Sequence, residues 1–234
     1  MRNKTKDLVS STVDWMSLAI VLVALCLWAY RFLDARFGSV TLPTELANDP
    51  GAPLGRFWEL AETGRWIGPK PAPVTLLIYS DYECGHCEVV HHTLAKLRRR
   101  YPQHLAIVVK HFVDPGELGM NLIPLAAECA AQEGMFWAYH DAAFLDKTPT
   151  SEADRWLRLA EEVGIGDLES FGVCVRTRRW AGRIAEQYAE GQRLGITATP
   201  TMLLNGTMIV GAAPFEALNE AIVSRLPVRN NFVR

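Results

Sequence analysis

Cys84-Gly85-His86-Cys87 sets two thiols three residues apart, which on a helix puts them on one face, about one turn from each other. Such a pair can close a small ring and reopen it by exchange with the thiols of another protein. Exchange needs an attacking thiolate, a resolving thiol close by and a field that favours the anion. The β-rich apolar run Val74-Thr75-Leu76-Leu77-Ile78-Tyr79 ends just ahead of the motif, and a helical pattern starts at about Cys84. The first cysteine therefore falls at a helix N-terminus, where unpaired N–H groups and the helix dipole favour negative sulfur. Cys84 is read as the nucleophile and Cys87 as the resolving thiol. His86 can lend the thiolate a positive charge or a hydrogen bond, and Gly85 brings no side chain to obstruct a substrate.

The same residue types admit other chemistry. A structural zinc site needs a second closely spaced pair, and the other candidates, Cys129 and Cys174, stand far apart. Cys84, Cys87 and His91, one turn further on, can hold copper or zinc in a carrier; the alternative for His91 and His92 is a solvated helix face. His104, His111 and His140 carry no motif that separates them from ordinary surface or core histidines. The exchange reading calls for no metal and no cofactor.

The elements around the dithiol are readable from periodicity. Val89, Val90, Leu94 and Leu97 recur near a 3.6 period to about Arg100, with Lys96, Arg98, Arg99 and Arg100 loading the C-terminal end. Leu105 to Phe112 reads as a second buried strand, so the dithiol helix is the crossover of a βαβ unit with parallel strands. From Asp114 to about Gly195 the pattern is all-helical, with breaks expected at Pro124, Gly134, Thr148-Pro149, Gly164 to Gly166 and Gly191. Strands return at Thr201–Leu204 and Thr207–Val210 around Asn205-Gly206, a hairpin signal because both turn residues accept positive φ. A helix from about Pro214 to Ser224 closes the body.

Trp15 to Leu33 is an apolar run of about the ~20 residues that cross a bilayer, with Trp15 at one edge, Trp28 and Tyr30 near the other and Arg31 as its first charge. The chain continues through Asp34-Ala35-Arg36 without a small-residue cleavage site, which favours an uncleaved anchor over a removable signal. Arg2, Lys4 and Lys6 ahead of the run, against Arg31 and Arg36 after it, keep the N-terminus cytoplasmic by a small margin, so the expectation of a body outside the cytoplasm, in a periplasmic setting at the inner membrane, leans on the cysteine chemistry as well. Cys26 lies inside the run as a helix-packing bystander. The expected organisation is a cytoplasmic N-terminus at 1–14, an anchor at 15–33 and a tether at 34–70, in which Phe57–Glu62 makes a short docking turn. A first sheet part at 71–113, a helical insertion at 114–193 and a second sheet part at 194–234 follow. The 234 residues, 49% hydrophobic, hold 24 basic and 26 acidic side chains, and the net charge of −2 excludes a general attraction to nucleic acid.

Several motifs then occur in an order that resembles the DsbA-like thioredoxin-fold family. They are Gly68-Pro69, Ala72-Pro73-Val74-Thr75, Asp81 ahead of Cys84-Gly85-His86-Cys87, Glu133-Gly134-Met135-Phe136-Trp137 with His140-Asp141, and Leu194-Gly195-Ile196-Thr197-Ala198-Thr199-Pro200-Thr201. The likeness runs from about Phe57 to Val223. It implies an α/β thioredoxin-like fold with an inserted all-helical domain, here preceded by one N-terminal transmembrane helix. It also implies a thiol-disulfide oxidoreductase acting on cysteine-containing substrate proteins and reset by a membrane redox partner. Pro200 matches the family's cis-proline beside the dithiol, leaving Thr199 free to pair its backbone with an incoming peptide. Gly85 stands where many members carry proline and gives the dipeptide of protein disulfide isomerase; net oxidation is the expected direction of exchange, with isomerase or reductase activity at the same residues as the alternative. Ala198 replaces a frequent glycine. Cys129 and Cys174, both in apolar helical stretches of the insertion, are expected to form a structural disulfide, the alternative being two separate buried thiols.

Overall fold

The computed structural model describes Leu25, Trp28 and residues 54–147 and 154–227. Leu25 and Trp28 are helical and exposed, and the rest of the apolar run at 15–33, with Cys26, lies outside the described residues. Among the described residues no helix is long and apolar enough to cross a membrane.

In chain order the elements are α1 (Leu54–Glu62), β1 (Arg65–Ile67), β2 (Val74–Ser80), α2 (Gly85–Arg100) and β3 (Leu105–His111). The insertion follows as a short 3-10 turn at Pro115–Gly119, then α3 (Ile123–Ala130), α4 (Phe136–Leu145), α5 (Arg155–Val163), α6 (Leu168–Arg176) and α7 (Ala181–Arg193). β4 (Thr201–Leu204), β5 (Thr207–Val210) and α8 (Phe215–Val223) complete the body. The five-stranded sheet has the order β1-β3-β2-β4-β5. Among the described strands only β2 and β3 run parallel, as the α2 crossover requires; the other pairs are antiparallel.

β2 lies at the centre and is buried along its whole length, which its apolar composition allows because helices cover both faces. Alternation divides its side chains. Leu77 and Tyr79 join a core with Phe57, Leu60 and Ala61 of α1, Val108, Ile196 and Leu203. Ile78 and Ser80 turn to the other face, toward Cys87 and Leu94 of α2. The β4–β5 turn forms with positive φ at Asn205 (48°) and Gly206 (93°), and the Asn205 side chain accepts from Thr75 N at 2.7 Å, tying the hairpin to β2.

Of the stretch expected as a tether, residues 54–70 are described and belong to the body, while 34–53 lie outside the described residues. The docking turn expected at Phe57–Glu62 is the helix α1, which docks by supplying core residues, and Arg65–Ile67 adds an edge strand antiparallel to β3. Three residues are too short to show alternation, so β1 is invisible without its partner. The division expected at Pro124 falls at the start of α3, where the proline sits in the first turn and its missing N–H costs nothing. Gly191 lies within α7; a Cβ there would stand 2.7 Å from the Phe112 ring, so glycine serves a close approach.

Charged side chains fasten the insertion to the sheet. Glu128 of α3, with no exposed side-chain surface, faces Arg65 of β1, Arg183 Nε of α7 at 3.1 Å and His111 Nε2 of β3 at 3.2 Å. On the other side of the sheet Glu190 of α7 takes the fully buried Lys110 ammonium and accepts the Tyr79 hydroxyl at 2.6 Å. Cys129 of α3 and Cys174 of α6 are joined as a disulfide that closes a 45-residue separation, worth roughly 4 kcal/mol in the chain-entropy account.

Burial by itself would raise the Glu128 carboxyl, but hydrogen bonds from His111 and Arg65, with the Arg183 charge, hold it down at about 2. The folded-state value lies below the unfolded one of 4.5, so this contribution is complete above about pH 4.5 and is lost as pH falls toward 2. Glu128→Ala is expected to cost about 3 to 5 kcal/mol at pH 7 by leaving two guanidinium groups uncompensated. Urea unfolding from pH 7 to pH 2 should then show a shallower acid loss in the variant than in the parent; equal acid limbs would contradict the assignment.

Candidate active site

The last residues of β2 and the first of α2 build the site. Leaving β2, the chain turns at Asp81, whose carbonyl accepts from Cys84 N at 3.3 Å and whose carboxylate accepts from Glu83 N at 3.1 Å. Cys84 is the N-cap of α2, in extended conformation, and its carbonyl takes the first helical bonds from Cys87 N and Glu88 N at 2.9 and 3.2 Å. No side chain caps this end, so the open N–H groups point toward the motif.

The two thiols differ in environment. Cys84 is half-buried, and its thiol donates to the Thr199 carbonyl at 3.3 Å. Cys87, one turn on, is buried at 1% exposure. Burial pushes its thiol up to about 12, with the Cys84 charge adding to the rise and hydrogen bonds from the Asp81 backbone and Ser80 opposing it. Both cysteines are free thiols. Thr199 is half-buried, Pro200 is buried behind it, and the bond between them is cis. The residues picked out in sequence thus gather from two distant segments, one before α2 and one before β4. Gly85 and His86 are exposed, and a Cβ on Gly85 would meet nothing within 4 Å, so the fold does not itself demand glycine there. Cys129 and Cys174 lie in the insertion as a separate disulfide.

The insertion holds this loop from behind. Tyr82, buried between Asp81 and Glu83, packs its ring on Phe144 at 4.9 Å between centroids and sets its hydroxyl 2.8 Å from His140 Nδ1. His140 of α4 is enclosed by Tyr82, Phe136, Trp137, Phe144 and His91, with centroids 5.0 to 5.6 Å away. Burial keeps His140 well below its ordinary range and, together with the His92 and Arg98 charges, lowers His91 to about 4, so both imidazoles are neutral at neutral pH. A cavity of about 30 Å³ behind Cys87 is bounded by these histidines, Asp141 and Arg98. Of the two readings that sequence leaves for His140, surface or satisfied core histidine, the structure shows the core one, and its neighbourhood is that of the Phe136-Trp137, His140-Asp141 motif.

Among the described residues, the group whose ligand atoms come close enough to share an ion is His91, His140 and Asp141, within 4.8 Å of one another. That is not the set Cys84, Cys87 and His91 considered for a metal carrier, and the Arg98 charge at the same cavity disfavours a cation.

A dithiol at the head of a βαβ crossover helix, facing a cis-proline loop across the sheet end, defines a thioredoxin-fold dithiol protein. The chain belongs to the thioredoxin family, whose model matches residues 60–224, in the DsbA-like form that carries a helical insertion. Oxidised BdbD from Bacillus subtilis superposes with a TM-score of 0.63 at 22% identity, over 70% of this chain and 93% of that one. The thiol-disulfide exchange protein alpha-DsbA2 from Wolbachia pipientis gives 0.63 at 18% identity, over 74% and 94%. In sequence, disulfide bond formation protein D of Bacillus subtilis is 25% identical over 180 residues, covering 68% of this chain and 76% of the relative. The Na(+)/H(+) antiporter NhaA 3 of Salinispora tropica is 32% identical over 163 residues, covering 67% of this chain. This chain spans about a quarter of that antiporter's length (24%).

The unequal burial of the thiols has a direct readout. With the protein folded and reduced near pH 8, iodoacetamide should modify Cys84 at least about a hundredfold faster than Cys87, because alkylation needs an accessible thiolate. Peptide mapping after timed quenching measures both rates, and comparable rates would contradict the environments described.

Proposed function

We propose that the protein is a membrane-anchored thiol-disulfide oxidoreductase that exchanges disulfides with cysteine-containing extracytoplasmic proteins, in the direction of net oxidation. The observation that carries this reading is the pair itself: Cys84 reachable at the head of α2 and bonded to Thr199, Cys87 buried one turn behind.

In the oxidised state a substrate thiolate attacks Cys84 Sγ; a substrate–Cys84 disulfide forms, the Cys84–Cys87 bond breaks, and Cys87 leaves as a thiolate that takes up a proton. A second substrate thiolate then attacks the substrate sulfur and Cys84 leaves as a thiolate. The substrate has lost two electrons and two protons and gained a disulfide, and the enzyme holds the dithiol. The high value of Cys87 keeps the resolving thiol protonated while Cys84 reacts. Once the Cys84 thiol no longer donates to it, the Thr199 carbonyl can pair with substrate backbone, with Pro200 setting the edge against which the peptide lies. His86, exposed beside the pair, adds positive charge or a hydrogen bond to the thiolate.

The cycle requires an acceptor for two electrons, assigned to a membrane partner bearing a more oxidising disulfide. Residues 15–33 serve as the anchor, supported by their apolar length and interfacial aromatic residues. A body outside the cytoplasm accords with the Cys129–Cys174 disulfide, a bond that persists in oxidising compartments. Residues 71–113 and 194–234 are assigned to the exchange domain and 114–193 to the insertion that shapes its surface.

Cys87→Ala should accumulate covalent adducts between Cys84 and partner proteins that dissolve on reduction, because the mixed disulfide forms and cannot be resolved internally. Non-reducing gels of the tagged variant, beside the Cys84→Ala control, provide the measurement. A Cys84 that stays a free thiol in the oxidising compartment would sink the assignment.

A further inference from the structure

Glu83 immediately precedes the nucleophile, and a carboxylate beside a thiolate disfavours it. Its partner comes from the insertion. Arg155, at the start of α5 with a side chain only 7% exposed, donates from Nη1 to Glu83 Oε1 at 3.1 Å, from Nε to Asp146 Oδ2 at 2.8 Å and from Nη2 to the Ala143 carbonyl at 3.2 Å. Three separate anchors fix the guanidinium fork, and Asp146 is itself largely enclosed, at 8% side-chain exposure.

We propose that Arg155 is a positioning residue for the dithiol: it cancels the Glu83 charge next to Cys84, holds the 81–83 loop against the insertion, and so sets the oxidising strength of the Cys84–Cys87 pair. This rests on the exchange function proposed above. The other charges on the loop and first turn are Asp81, His86 and Glu88, and Glu88 pairs with Lys147. Lys147 is 68% exposed, so solvent screens that second pair, whereas Arg155 acts from a site with little water. Burial raises the Glu83 carboxyl and Arg155 pulls it back, so removing the cation leaves an acid that is poorly compensated at the mouth of the site.

The consequence is read in the reaction of the Cys84–Cys87 disulfide with two glutathione thiols, which yields the dithiol and glutathione disulfide with transfer of two electrons. Any charge that favours the Cys84 thiolate draws this equilibrium toward the dithiol and makes the protein the stronger oxidant. Arg155→Gln should shift the equilibrium about three- to tenfold toward the protein disulfide at pH 7, and Glu83→Gln should shift it the other way. The Glu83→Gln/Arg155→Gln double variant should return close to the parent, and Arg155→Lys should stay near it because the charge is kept. Circular dichroism and thermal melting report whether each variant is folded.

An unchanged equilibrium in folded Arg155→Gln overturns the proposal, and so does a double variant that retains the full shift of the single one, since the effect is then not the Glu83 charge. If Arg155→Gln does not fold, Glu83→Gln decides alone, and an equilibrium equal to the parent's overturns it. A parent dithiol that does not exchange with glutathione at all overturns the oxidoreductase reading as well, and is recognised before any variant is compared.

Discussion

The Gly85 and His86 N–H groups at the start of α2 have no helical carbonyl to bond, and a helix N-terminus of this kind favours negative charge held beside it. That preference is useful only while Cys84 stays at the N-cap, and a short loop leaving a sheet does not hold such a position unaided. Asp81 supplies the local part, accepting from Glu83 and Cys84 with its carboxylate and its carbonyl. The rest comes from a distance. β2 is fixed from both sides by β3 and β4, so the point where the loop begins is set by the centre of the sheet.

The helical insertion belongs to the same device. Tyr82 and Glu83, the residues just ahead of Cys84, both end on it, one in the aromatic enclosure around His140 and the other on Arg155. For those contacts to matter the insertion must itself be fixed to the sheet, and two carboxylates, the buried Glu128 and the half-buried Glu190, do this. Glu128 gathers Arg65, Arg183 and His111, while Glu190 gathers Lys110 and Tyr79. Ion pairs of this kind are costly to assemble in a low dielectric and destabilising to break, which makes them better at specifying an arrangement than at adding stability. The disulfide between α3 and α6 limits the freedom of the insertion before it docks.

Much of this was legible in the sequence because it is local. The β2–α2–β3 unit follows from an apolar run, a 3.6 period and a second apolar run, and the β4–β5 hairpin from Asn205-Gly206. What was missed depends on partners far away in the chain. β1 is three residues long and becomes a strand only by pairing with β3. Lys110 and Glu128 are charged residues with no local sign that they are buried; each needs a partner from another element. Gly191 reads as a break because glycine disfavours helices on average, whereas it lies within α7 and admits the Phe112 ring. The dithiol was plain from spacing alone. Arg155, which touches the residue beside it, carries no motif.

Gly85-His86 between the cysteines suits more than one direction of traffic, and the commitment to oxidation rests on a reachable thiol at the head of α2 backed by a buried, protonated partner. The reduction potential of the Cys84–Cys87 pair, taken from glutathione equilibria of the full-length protein at pH 7, tests that commitment directly. A value of about −120 to −180 mV, in the range of strong disulfide donors, is the result expected; a value near about −270 mV, that of a reductant, would contradict the account.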